Sequence, residues 1–130
     1  MRCADTSFLV DYLTGDDRAR VWLADNEDRP LHVPTVARFE IYRGALRADL
    51  PDGLSGAVEG LDWTEPLPFT DAAARESARI GHELREAGAQ TNVADRLIAG
   101  TAREAGATLV TRDADVERVE GLDVVRYDDP

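Results

Sequence analysis

Arg2-Cys3-Ala4-Asp5-Thr6-Ser7-Phe8-Leu9-Val10-Asp11-Tyr12-Leu13-Thr14-Gly15 decides the fold. A short apolar-leaning run enters Asp5-Thr6-Ser7, and Phe8, Leu9, Tyr12 and Leu13 then recur at helical spacing until Gly15. The reading is strand, turn, helix. The same alternation continues outward along the chain. Asp16 to Ala24 reads as a second helix with Val21, Trp22 and Leu23 as core contacts, and Leu31 to Pro34 as a second strand. Thr35 is expected to cap a helix carrying Val36, Phe39, Ile41, Tyr42 and Leu46, ended by a turn at Leu50-Pro51-Asp52-Gly53. The stretch from there to Gly60 matches no single pattern.

Two prolines in Glu65-Pro66-Leu67-Pro68 demote Trp63 to Phe69 to an edge strand or extended connection. Thr70 or Asp71 then caps a helix over Ala72 to Ala87, stopped by Gly88. Asn92 to Ala105 is another helix, with Val93, Leu97, Ile98, Thr101 and Ala102 on its apolar side and Gly106 as its stop. Thr108 to Thr111 and Asp123 to Tyr127 complete the strands. Strands separated by helices predict an α/β domain of three layers, with a mostly parallel sheet of four to five strands and helices on both faces.

A chain of 130 residues is about one domain, 1–130, able to bury roughly two-thirds of its unfolded surface. Its apolar runs are too short for a membrane-spanning helix or a secretory signal core. The single cysteine, Cys3, excludes an internal disulfide and a cysteine-rich zinc site, and in a predicted strand it reads as core. A reducing cytoplasm is the expected compartment. Fifteen basic residues against 26 acidic ones give a net charge of −11, and every basic residue is arginine. Acid excess without lysine suggests a surface adapted to high salt, a halophile's, where at 1 M the Debye length falls to about 3 Å, although a GC-rich genome would bias arginine over lysine as well. Counting acids therefore cannot argue for a metal site; position must.

In an open parallel sheet, chemistry lies outside the carboxyl ends of the strands. Asp5 ends the first strand and Asp113 follows Thr108 to Thr111, with Asp115 two residues on. Local roles compete: a helix cap for Asp5 and a turn position for Asp113. Glu40 lies three and four residues from Val36, Ala37 and Gly44. Asp95 lies three, four and seven from Ile98, Ala99 and Ala102, so both acids share a stripe with small or apolar residues. Both should point inward. Two carboxylates about 4 Å apart repel by roughly 4 kcal/mol at an effective dielectric of 20, so a cation should sit among them. Oxygen donors alone, with His32 and His82 far apart, suit a hard ion such as Mg²⁺ or Mn²⁺ and phosphodiester hydrolysis. Arg38, Arg43, Arg47, Arg96 and Arg112 lie near the predicted site, where they could contact phosphates or form ordinary ion pairs.

Four pieces of this chain, in this order, carry a family resemblance: Asp5-Thr6-Ser7 after the first strand, Phe39-Glu40-Ile41-Tyr42-Arg43-Gly44, Asp95-Arg96-Leu97-Ile98-Ala99, and Leu109-Val110-Thr111-Arg112-Asp113. They resemble the PIN domain, and within it the VapC toxins of VapBC toxin–antitoxin pairs. The resemblance implies a metal-dependent endoribonuclease in which Asp5, Glu40, Asp95 and Asp113 form the catalytic cluster and Asp5, Asp95 and Asp113 hold the metal. Thr6, Ser7 and Thr111 would orient carboxylates or metal-bound water. It also implies an RNA substrate, a cognate VapB-type antitoxin and a homodimer. Family members often have Asp-Phe where this chain has Asp115-Val116, which leaves Asp113 and Asp115 in competition for the fourth place. Asp113 is nearer the strand, and Asp115 is placed as the cap of a short helix beginning near Val116. Two rival readings stand beside this one: a non-catalytic interaction module on the same fold, and a phospho-receiver domain, whose phosphoryl-holding lysine this chain lacks.

Overall fold

A computed structural model of the chain describes residues 1–48, 52–89 and 91–129. Five strands, β1 (Arg2–Ala4), β2 (Leu31–Pro34), β3 (Glu65–Leu67), β4 (Thr108–Thr111) and β5 (Asp123–Arg126), form one sheet in the order β3-β2-β1-β4-β5. Every pairing is parallel. The helices are α1 (Thr6–Leu13), α2 (Asp17–Asp25), α3 (Thr35–Arg47), α4 (Gly53–Gly60), α5 (Asp71–Glu86) and α6 (Val93–Ala105), with a 3₁₀ turn at Ala114–Arg118. The chain steps outward from β1 to β3, then returns to lay β4 against the other side of β1. The switch in strand order falls between β1 and β4, and the crevice there is where an open sheet presents a site.

The central strands are apolar and enclosed. Cys3, Ala4, Leu109 and Val110 have no exposed surface, and Phe8 and Leu9 of α1 pack behind them. Phe8 meets Trp22 and Tyr127 edge to face, at 5.6 and 5.0 Å between ring centroids. Burial pushes the Cys3 thiol up to about 12, so it is an inert core side chain.

The caps show where local sequence prevailed. Asp16 accepts from the Arg18 and Ala19 amides, Thr70 from Ala73 and Asn92 from Asp95, each opening its helix. Gly106 ends α6 in the left-handed region, φ +66°, which only glycine adopts cheaply. Thr35 departs from expectation. Its hydroxyl accepts from the Phe69 amide at 3.2 Å, tying α3 to the segment after β3, and α3 starts with no side-chain cap.

Other differences concern packing. Val21 is 59% exposed, so α2 rests on Ala19, Trp22 and Leu23 rather than on all three expected positions. Phe39, Leu46 and Val93 also face outward. The unassigned stretch before Gly60 is α4, despite three glycines that disfavour helix. Close approach is the reason, since a Cβ on Gly60 would sit 2.8 Å from Leu13 of α1. Leu50 and Pro51 of the expected turn lie outside the described residues. Among the described residues no helix is long and apolar enough to cross a membrane.

Candidate active site

The register of β1 against β4 pairs Ala4 with Val110, which sets Asp5 level with Thr111 at the carboxyl edge. The Asp5 amide continues the ladder to the Val110 carbonyl at 3.2 Å. The Thr111 hydroxyl donates to Asp5 Oδ2 and accepts from the Asp113 amide at 2.9 Å. Asp5 Oδ1 accepts from the Ser7 hydroxyl at 2.7 Å and the Phe8 amide at 3.0 Å. Asp5 is therefore a helix cap and a member of the acid group together. Burial raises its pKa above the usual carboxylate value. The bonds from Ser7, Thr111 and Phe8 oppose that rise, and the charge of Asp113 adds to it.

Glu40, on α3, is half-buried and points toward α1, where the Thr6 hydroxyl donates to its Oε1 at 2.6 Å. Asp95 stands in the first turn of α6. Burial pushes its pKa up to about 6, and the charges of Asp113, Glu40 and Asp5 push the same way. The four expected acids thus converge electrostatically although they come from four separate elements. Among the described residues, no arginine forms an ion pair with any of the four.

Asp113 and Asp115 exchange one expected role. Asp113 is the cap of the 3₁₀ turn, its Oδ1 accepting from the Asp115 amide at 2.9 Å. Asp115 lies inside the turn, exposed, 3.4 Å from Arg118. An Asx turn two residues long captured the nearer acid.

The arginines divide. Arg38 bonds Thr64 and Tyr42, and Arg43 lies over the Phe39 ring at 5.4 Å, so these two serve packing. Arg112 pairs with Asp11 at 3.2 Å. Asp11 is a buried carboxylate that sequence reading passed over. It accepts from the Tyr127 hydroxyl at 2.6 Å and ties α1 to the end of β5. Its position four residues after Ser7, on one helical face, is the only local signal.

The donor set suits a hard cation: oxygen ligands only, mutually repelling, with no protein cation between them. Among the described residues, no three histidine, cysteine or carboxylate groups stand close enough to enclose an ion by themselves. The residues therefore fit an ion held through one or two carboxylates and otherwise by water, as Mg²⁺ is commonly bound.

Residues 2–122 match the model of the PIN domain. The chain belongs to the PIN-domain family. This PIN domain is 32% identical over 92 residues to the tRNA(fMet)-specific endonuclease VapC of Shigella flexneri, covering 69% of this chain and 70% of that one. It is 30% identical over 113 residues to ribonuclease VapC19 of Mycobacterium tuberculosis, covering 85% and 87%. In fold it is similar to a chain of DNA-bound VapBC from Salmonella typhimurium, with a TM-score of 0.86, 24% identity, and 98% and 99% of the two chains covered. It is equally similar to VapBC2 from Rickettsia felis, with a TM-score of 0.86, 19% identity, and 95% and 96% covered. The phospho-receiver reading is thereby replaced.

Proposed function

We propose that this PIN domain, working as one unit over residues 1–130, is a metal-dependent endoribonuclease and the toxin of a toxin–antitoxin pair. The observation that carries the reading is the acid cluster at the carboxyl edge of the sheet, where Thr111 links Asp5 to Asp113, Ser7 and Thr6 hold Asp5 and Glu40, and no arginine among the described residues pairs with any of the acids. Burial and the charges of Asp113, Glu40 and Asp5 raise Asp95 in the same place. Four carboxylates held together without a cation are costly unless something binds them. Curated relatives named as an endonuclease and a ribonuclease support the substrate class.

Asp5, Asp95 and Asp113 would hold Mg²⁺ or Mn²⁺, one or two of them directly and the remainder through water; such an ion, when bound, lowers the pKa of water and neutralises phosphate charge. Ser7 and Thr111 fix the Asp5 carboxylate from both of its oxygens, so it reaches the site already oriented. Thr6 anchors Glu40 Oε1 and leaves Oε2 without a hydrogen-bond partner among the described residues. Glu40 Oε2 would then take a proton from the attacking water. Asp115, exposed and paired with Arg118, has a supporting role at most.

Incubation of the purified chain with structured RNAs and Mn²⁺ or Mg²⁺ should give endonucleolytic fragments, and EDTA should abolish them. Cleavage that survives EDTA overturns the metal mechanism. A folded chain that cleaves no RNA under any of these conditions favours the interaction-module reading.

The VapBC assemblies among the structural neighbours support a VapB-type antitoxin as partner. Phe39 and Val93, 58% and 59% exposed, flank Glu40 and Asp95 with a cavity between α3 and α6, which supports a homodimer over that face. Sedimentation equilibrium reads it, and a monomer at all concentrations refutes it. The charge of −11 without lysine supports adaptation to high salt and, with it, a cytoplasm rich in ions. The melting temperature should climb with KCl well beyond the roughly 0.1 M at which the Debye length is already about 10 Å. A flat profile refutes the adaptation.

A further inference from the structure

A cavity of about 530 Å³ opens between the C-terminal half of α5 and the start of α6, lined by Ser77, Gly81, His82, Arg85, Thr91 and Arg96. Small residues create it. Ser77 and Gly100 bring the two helices into contact, where a Cβ on Gly100 would lie 2.7 Å from the Ser77 backbone. Gly81 is bare beneath Arg96, since a Cβ there would be 3.2 Å from Arg96 Cδ. The Arg96 stem consequently lies across α5, and its Nη1 donates to the Thr91 carbonyl at 2.9 Å. Its size is that of a small-molecule site, roughly 300–1,000 Å³.

Two arginines without a carboxylate partner among the described residues line this one cavity. The chain has 26 acids for 15 arginines, yet among the described residues neither Arg85 nor Arg96 pairs with a carboxylate. The nearby Glu83 is engaged by Arg103 at 2.9 Å, and Glu86 is exposed. The Thr91 hydroxyl oxygen is buried with no partner among the described residues, and a buried donor in that state calls for an acceptor. Two unneutralised guanidinium groups and an orphaned hydroxyl at one cavity make an anion site, with the forked donors that match phosphate. The cavity also neighbours the candidate active site: Leu84, Thr91 and Arg96 line both it and a small crevice bordered by Asp95 and Val116.

We propose that this cavity is a phosphate subsite for RNA, in which Arg85, Arg96 and Thr91 hold a backbone phosphodiester away from the bond to be cut. The inference rests on the ribonuclease reading for its ligand and on the cavity alone for its anion chemistry. Such a subsite explains how a strongly acidic body engages a polyanion: contact is made at a local cationic recess beside the acids, and the rest of the surface repels.

The test is binding, separated from catalysis. A short fluorescent single-stranded RNA is titrated with the full chain in EDTA, by anisotropy, over a series of KCl concentrations. Arg85→Ala should lower affinity several-fold and flatten the slope of log K against log salt by about 0.7, the share of one phosphate contact on a single strand. Arg75→Ala, on the same helix but paired with Asp71, should leave both unchanged. Because Arg96 packs on Gly81 and its loss could disturb the fold, the exposed Arg85 is the deciding position, with Arg85→Glu as the stronger variant. Unchanged slopes in both Arg85 variants overturn the proposal. Inorganic phosphate, titrated while amide shifts of Gly81 and Thr91 are followed by NMR, separates the two sources of the anion. Phosphate binding with RNA slopes unaltered makes this a free-anion site and also overturns the proposal. Cleavage by the parent with no Arg85 effect leaves the ribonuclease reading standing without the subsite. An Arg85 effect in a chain that never cleaves leaves the subsite standing without the nuclease.

Discussion

Glu76 on α5 and Asp95 on α6 are both half-buried acids on helices that pack together, and their surroundings drive them in opposite directions. Glu76 lies 2.5 Å from Arg103 Nε and 2.9 Å from Arg79, and Arg103 also grips Glu83 and the Glu120 carbonyl, each at 2.9 Å. The bonds from Arg79 and then Arg103 hold the Glu76 carboxyl below its ordinary range. Asp95 is raised to about 6 by burial and by three other acids. One cluster is neutralised from within and serves to clamp α5, α6 and the loop before β5. The other is left short of positive charge, at the switch point of the sheet. In a chain this acidic, balance of charge rather than number of acids distinguishes a site from architecture.

The largest contrast comes from removing one acid of each cluster. Asp95→Asn should cut RNA cleavage by about 100-fold or more, as losses in metal shells do, while the metal-free protein melts no lower than the parent because a repulsion has been relieved. Glu76→Gln should do the reverse, costing about 1–2 kcal/mol of stability by weakening its bonds to Arg103, with cleavage per folded molecule unchanged. Calorimetry and a cleavage time course on the same preparations decide it. An Asp95→Asn chain that loses its melting transition would make Asp95 structural and collapse the contrast.

A smaller effect sharpens the edge of the acid cluster. Asp113→Asn should slow cleavage by about tenfold or more and weaken Mn²⁺ binding, yet hold the 3₁₀ turn, since asparagine caps as well as aspartate. Asp115→Asn loses only an exposed pair with Arg118 and should cleave within about twofold of the parent. If Asp115→Asn is the inactive one, the cluster keeps four acids with Asp115 in place of Asp113.

What sequence could reveal followed the range of the interaction. Asp5 and Asp113 are legible because each follows a strand that its own residues announce, and Glu40 and Asp95 because small and apolar neighbours at helical spacing turn them inward. Asp11 was not legible, because its partner Tyr127 is 116 residues away. The Thr35 hydroxyl went to an amide 34 residues on, and no local capping rule foresees that. α4 forms against its own propensity, with Gly60 admitting Leu13 of α1 where a Cβ would collide. The cationic cavity needs Arg85 of α5 and Arg96 of α6 to line one cavity, and only tertiary packing brings them there. The outward Phe39 and Val93 obey helical periodicity and still miss the core, because periodicity marks a face without saying what covers it.

The smallest effect is in pH, and the two clusters should oppose each other there. Asp95 has a folded pKa of about 6 against an ordinary 3.8, so between those values the native state binds more protons than the unfolded one. Its contribution to stability is therefore fully present below pH 3.8 and is lost as pH rises through 6. Glu76 has its pKa lowered from 4.5, so its contribution is present above that value and is lost as pH falls through the folded pKa. In EDTA, the difference in stability between the parent and Asp95→Asn should shift toward the parent by on the order of 1 kcal/mol from pH 7 to pH 4.5, after allowance for solvent screening at a half-buried group. The difference between the parent and Glu76→Gln should hold steady across that interval and shrink only at lower pH. Saturating Mn²⁺ should erase the Asp95 slope, because an ion favours the charged carboxylates at every pH in the interval, and should leave the Glu76 comparison untouched. Parallel slopes for the two variants would mean that Asp95 is neutralised in solution by a cation of the protein itself, and the site would then be one more ion-pair cluster.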